Sequence, residues 1–286
     1  MKFPISVFCA WIVLALSSGL AQTPTPLPTG AVHFDKDGNF VTGTFTFRVP
    51  LQPAPLGYLA GQPYSAEEVS QQSQILADGT RILRSNPSSY VYRDSAGRTR
   101  TERHSSLSPT GKQAVVPAIP EIIDPVAGCI YFLDIAKRVA HRVELPEPLK
   151  PLTPPQGLVL PIAAPMLMTS TPGTASSVHP ETSSESLGTQ VIESVPAQGR
   201  RTTTVYPAGA FGNAQPISVI NELWTSLDLN LVISAKSNDP RQGDRIQTLT
   251  NIGRAEPDPA LFQVPPGYKV ITETGPFTIT IDGSSK

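Results

Sequence analysis

Four histidines, two cysteines and the acids around them set what chemistry this chain could attempt. His33, His104, His141 and His179 fall in separate segments with no His-x-x-x-His pair, and Cys9 and Cys129 lie far apart. A zinc centre needs ligands at short helical or turn spacing, so no metal site and no cofactor are expected. Asp35-x-Asp37-x-Asn39 opens like a calcium loop, yet Phe40 stands where that loop needs glycine and Thr46 where it needs a bidentate acid. A hairpin turn accounts for it. No serine sits in a Gly-x-Ser-x-Gly elbow, and neither a phosphate loop nor a dinucleotide fingerprint occurs. Scattered Ser, His and Asp, or two carboxylates, could still converge in space. A hydrolytic enzyme is therefore the third reading, with no catalytic residue assigned.

Arginines and aromatics offer recognition chemistry instead. Arg81, Arg84, Arg93, Arg98, Arg100 and Arg103 interleave with Tyr90 and Tyr92, a mixture able to grip anions or nucleic acid. Arg98, Arg100 and Glu102 alternate with Thr99 and Thr101, however, as one solvated strand face would. A net charge of -1 gives no general attraction to nucleic acid, which is not expected as a partner. Tyr131, Phe132 and Trp224 are the candidate ligand-binding residues, able to line an apolar groove or else to pack a core. Cys129, in Cys-Ile-Tyr-Phe-Leu, reads as a buried, inert thiol.

The elements that must position these residues come after an address. Met1 and Lys2, an apolar run through Leu16 and small residues up to Ala21 form a secretory signal peptide over residues 1–21, with cleavage after Ala21. The run is shorter than the ~20 residues of a membrane span, so no transmembrane anchor is expected after cleavage. Gln22 follows the small-residue site, where a lipoprotein would need cysteine. Cys129 is then the last cysteine, and no intramolecular disulfide can form.

Residues 22–61 read as a Pro/Thr-rich segment with one hairpin, and residues 147–185 as a flexible Pro/Ser/Thr-rich insertion around an apolar patch, Leu158 to Met168. Residues 62–146 plus 186–274 read as a single β domain, with a tail over 275–286. Within the domain, short alternating runs flank turn residues. Asp37-Gly38, Asp78-Gly79, Ser95-Ala96-Gly97 and Asp124-Pro125 with Gly128 mark turns of the first half; Pro196 to Gly199, Ser226-Leu227-Asp228 and Asp239-Pro240 mark those of the second. Ser65-Ala66-Glu67-Glu68 fits either a capping box or a strand start. Asp258-Pro259-Ala260-Leu261-Phe262 predicts one or two helical turns. The fold class is mainly β: a curved antiparallel sheet or half-open barrel with little helix.

Several runs carry a resemblance. Tyr92 to Arg100, Ile123 to Gly128, Leu187 to Gln190, Glu222-Leu223-Trp224 and Asp258 to Pro265 resemble an uncharacterised family of exported bacterial proteins. More distantly, the Glu-x-Trp strand and the terminal Asp-Pro-x-x-Phe before Pro265-Pro266-Gly267 resemble the LolA-like lipoprotein-carrier and RseB-like sensor fold. That resemblance implies a curved sheet whose apolar concave face takes acyl chains or a peptide. The leading expectation is a non-catalytic envelope protein, periplasmic or secreted, binding a lipid, acyl chain or peptide on a concave β-sheet, with an envelope protein as a further possible partner. The alternative is a structural or protein-interaction module whose core is filled.

Overall fold

The computed structural model describes residues 28–29, 32–36, 40–49, 58–107, 114–116, 118–145, 151 and 179–284. Residues 1–21, most of residues 22–31, the Asp37-Gly38 turn, and 152–178 with the Leu158 to Met168 patch lie outside the described residues. Three strands open the fold: β1 (Pro28–Thr29), β2 (Val32–Phe34) and β3 (Phe40–Val49). A meander follows, β4 (Tyr64–Ile75), β5 (Arg81–Ser85), β6 (Ser89–Arg93) and β7 (Thr99–Glu102). Next come the short hairpin β8 (Ser105–Leu107) and β9 (Ala114–Val116), then β10 (Glu121–Asp124), β11 (Cys129–Asp134) and β12 (Val139–Glu144). The second half holds β13 (Glu181–Ile192), β14 (Val195–Tyr206), β15 (Ile217–Ser226), β16 (Leu231–Asp239) and β17 (Gly243–Gly253). A 3₁₀ turn, Pro259–Phe262, precedes β18 (Lys269–Glu273) and β19 (Phe277–Ser284).

Thirteen of these strands form one sheet in the order β13-β14-β15-β16-β17-β4-β6-β7-β10-β11-β12-β18, with β5 beside β4. Its pairs are antiparallel except β12 with β18. The terminal strands β13 and β18 do not pair with each other, so the sheet stays open. It is also strongly curved. Arg93 of β6 donates from Nη2 to the Leu229 carbonyl in the β15–β16 turn at 2.6 Å, although β16, β17 and β4 separate the two along the sheet. Three intervening strands at ~4.8 Å each would hold a flat sheet's edges far beyond side-chain reach. Likewise Glu193, in the β13–β14 turn, accepts from the Asn251 backbone N–H of β17 at 3.0 Å. Inside this curl lie Tyr64, Ala66, Val91, Val195, Ala197, Trp224, Leu229, Leu231, Ile233 and Leu249 as one buried cluster.

Two further cores flank the β10–β12 region. Phe45, Phe47, Phe277, Ile279 and Ile281 of β3 and β19 pack on Ile130 and Phe132 of β11. Beneath the 3₁₀ turn, Phe262 packs on Ile122, Leu133 and Ala140. Asp258 caps that turn, accepting from the Ala260 N–H at 2.9 Å, as its sequence predicts.

Several local expectations change. The β13–β14 turn is Glu193-Ser194, not Pro196 to Gly199: both residues have positive φ, 50° and 63°, the geometry a two-residue hairpin needs, and Pro196 and Gly199 sit inside β14. Ser65 to Glu68 belongs to β4 rather than to a helix start. Residues 275–286, read as a tail, contain β19, because alternating Phe277, Ile279 and Ile281 find an apolar face to cover. Glu181 to Glu185, placed in the flexible insertion, are paired in β13 with Arg201 to Val205.

Candidate protein-contact site

The loop from Pro207 to Pro216 joins β14 to β15 and is built from small residues around one aromatic, Ala-Gly-Ala-Phe-Gly-Asn-Ala. Asn213 organises it. Its Oδ1 accepts from the Phe211 N–H at 2.9 Å, and its Nδ2 donates to the carbonyls of Pro207 at 2.9 Å and Gln215 at 2.7 Å. A side chain bonded three ways to its own loop adds to the backbone bond that the Gly209 N–H makes to the Asn213 carbonyl at 2.8 Å. The loop thereby presents Phe211, 55% exposed.

Phe211 does not stand alone. Its ring lies 4.9 Å from that of Tyr206, and the Arg241 guanidinium from the β16–β17 turn sits 4.3 Å from its centroid. Arg241 is fixed in turn by Asp239: Nε donates to Oδ1 at 2.9 Å, Nη2 to Oδ2 at 2.7 Å, and the Arg241 backbone N–H also reaches Oδ1. These bonds hold the Asp239 carboxyl below its ordinary pKa and raise that of Arg241. The result is an exposed aromatic with a stacked, oriented cation, the residue types that dominate protein contacts.

The three residues singled out from the sequence lie apart. Trp224, 9% exposed, is in the cluster inside the curl. Phe132 is buried beneath β3 and β19, while Tyr131, its neighbour, turns toward the cluster under the 3₁₀ turn. Burial pushes the Tyr131 phenol upward, with Cys129 beside it adding to the shift. Cys129 is fully buried, as its sequence setting suggests.

The arginine-rich stretch is not one solvated face. Arg93 is 1% exposed, with Nε donating to the Gln62 carbonyl at 2.9 Å and its guanidinium 4.8 Å from the Tyr64 ring. Arg100 is only 12% exposed and donates to Glu102 and to the Leu261 carbonyl, because the 3₁₀ turn lies over β7 and β10. Arg98 sits over the Phe262 ring. These cations fasten segments to the sheet.

His141 places Nδ1 2.7 Å from Glu273 Oε1 and stacks on Phe277. That pair joins β12, β18 and β19. Phe211 escaped sequence reading because it belongs to no alternating run; the usable signal was a lone aromatic among Gly and Ala beside an Asn.

No family model matches the chain, and no curated protein matches it. Solved structures similar to it include an uncharacterized conserved protein from Thermus thermophilus, at 12% identity over 74% of this chain and 91% of that one, TM-score 0.33. Another is the MucA/MucB complex of Pseudomonas aeruginosa, at 11% identity over 71% of this chain, TM-score 0.34. The match spans 55% of that structure's chain. A LolA superfamily protein from Nitrosomonas europaea matches at 6% identity over 72% of this chain and 92% of that one, TM-score 0.26.

Proposed function

We propose that this chain is an exported, non-catalytic protein-interaction module, periplasmic or secreted, whose curled sheet is a filled scaffold for a protein contact at Phe211, Tyr206 and Arg241. The observation that carries this reading is a half-exposed phenylalanine on a loop pinned by three hydrogen bonds and stacked by an anchored guanidinium. Ordering the loop before contact reduces the entropy cost of binding. The burial of Trp224 and the separation of Tyr131, Phe132 and Trp224 among three clusters favour a filled core over an acyl-binding groove.

Export rests on residues 1–21, and intact-mass analysis of exported material is expected to find a mature chain beginning at Gln22. For the contact, a photo-crosslinking amino acid is placed at position 211 in producing cells, and at exposed Val126 as a control. A discrete protein adduct is expected from position 211 and none from 126. Equal adducts from both positions, or saturable binding of a fluorescent fatty acid competed by palmitate, would overturn the reading.

A further inference from the structure

The sheet ends on β13, a strand of twelve residues paired only with β14 among the described residues. Natural edge strands are usually blunted by lysine, proline, shortness or bulges, because their unpaired N–H and C=O groups otherwise recruit another strand. β13 spans about 40 Å at the antiparallel rise per residue. Its sequence, Glu-Thr-Ser-Ser-Glu-Ser-Leu-Gly-Thr-Gln-Val-Ile, contains no lysine, arginine or proline. A single bulge at Leu187 interrupts it. All its residues are exposed except Leu187 and Ile192, which are half-buried.

The turn fixes which groups point outward. Glu193-Ser194 is a two-residue hairpin turn, so Ile192 and Val195 form a hydrogen-bonded pair, and bonded and non-bonded pairs alternate from there. Val191 opposite Pro196 is a non-bonded pair, in keeping with the missing proline N–H, and so is Thr189 opposite Gln198. The N–H and C=O of Thr189 and Val191 therefore face away from β14.

Charge says what fits there. One register row crosses four strands as Glu185, Arg201, Glu222 and Lys236, acid and base alternating. Arg201 bridges Glu185 at 2.8 Å and Glu222 at 2.6 Å. The row ends on an acid at the open edge, and Glu181 adds a second acid along the same strand. We propose that β13 accepts an extended, basic peptide segment of a partner protein as an added strand, with a lysine or arginine in register with Glu185. A second copy of β13 cannot supply that residue, since it carries no base. The inference is independent of the Phe211 corner, which lies on another loop.

The probe is a synthetic peptide of about fourteen residues alternating Thr and Val with one central Lys, long enough to reach Val191 when the Lys lies opposite Glu185. Controls are the same peptide with Glu for Lys and a version N-methylated at alternate residues. With the full mature chain, the Lys peptide is expected to slow amide exchange at Thr189 and Val191 and to bind about threefold tighter than the Glu peptide, the size of a cross-strand charge pair. The N-methylated peptide does not bind. Glu185→Lys is expected to reverse the preference between the Lys and Glu peptides. Thr189→Pro removes an outward N–H, so binding is lost while the melting temperature is kept; Val191→Pro, which removes the other outward N–H, provides the same test if the first variant fails to fold. Unslowed exchange at Thr189 and Val191, an unreversed preference in Glu185→Lys, or concentration-dependent dimers that protect these amides without peptide would each overturn the proposal.

Discussion

The Trp224 ring covers the backbone of Gly199, its cross-strand partner between β15 and β14, so closely that a β-carbon on Gly199 would stand 2.6 Å from ring atoms Cη2 and Cζ3. Glycine at 199 is thus a packing requirement. Gly199→Ala is expected to destabilise by about 1 to 3 kcal/mol through overpacking, and Trp224→Ala by about 3 to 5 kcal/mol through loss of a large buried aromatic. In the double variant the alanine methyl meets no ring, so the two costs should fall short of additivity by more than about 0.5 kcal/mol. Urea unfolding of the four proteins measures this, and strict additivity would show that the ring moves aside.

Arg93 holds the curl through two carbonyls on separate segments, Gln62 and Leu229, with the Tyr64 ring beside it. Burial lowers its pKa, yet the guanidinium remains charged throughout the working range. Arg93→Ala removes both donors and leaves a buried acceptor at Leu229 and a partly buried one at Gln62, a loss of about 2 to 4 kcal/mol for hydrogen bonds to a charged group. Arg93→Lys keeps the charge but has no planar fork to span both carbonyls, and should recover only part. Chemical denaturation checks the order wild type, lysine, alanine; equal lysine and wild-type stabilities would count against the fork.

The parts legible in the sequence were those set by short-range chemistry. Asp78-Gly79 and Ser95-Ala96-Gly97 turn the chain where expected, and β4–β5 and β6–β7 pair across them. Glu193 and Ser194 hid their turn because neither residue type advertises positive φ, whereas the nearby Pro196 and Gly199 do suggest a turn. Alternation in β19 was visible in Phe277, Ile279 and Ile281, but its partner β3 lies at the other end of the chain. Strand order is a long-range property, and it decides that β13 is an edge and that β7 lies under the 3₁₀ turn. Phe211 gains its meaning only from Arg241, which a separate turn delivers.

Gly97 and Gly79 share a φ of +83° but differ in surroundings. Nothing lies within 4 Å of a β-carbon at Gly79, whereas one at Gly97 would meet Tyr58 Cδ2 at 2.5 Å and the Leu59 carbonyl at 2.8 Å. Gly79→Ala should therefore cost about 1 kcal/mol, the backbone penalty alone. Gly97→Ala should cost at least about 1 kcal/mol more, because the methyl must displace the chain at Leu59. Thermal unfolding of the two variants side by side tests the difference, and equal losses would mean that Tyr58 and Leu59 yield freely.

The Asp239–Arg241 pair gives the Phe211 corner a defined pH dependence. Arg241 bonds both Asp239 oxygens, and its guanidinium stacks on Phe211. The folded pKa of Asp239 is depressed, chiefly by the Arg241 side chain. Its contribution to stability is therefore present above the unfolded aspartate value of about 3.9 and is lost as pH falls through the lower folded value. The Phe211 ring resonances should hold steady from neutral pH down to about pH 4 and shift only below it. In Asp239→Asn the amide cannot hold Arg241 as an ion pair, so those resonances should already be displaced at pH 7 and show no acid transition. A wild-type midpoint above the ordinary aspartate range would show that another group governs the ring, and an Asp239→Asn spectrum unchanged at Phe211 would show that Arg241 keeps its place over the ring without the carboxylate.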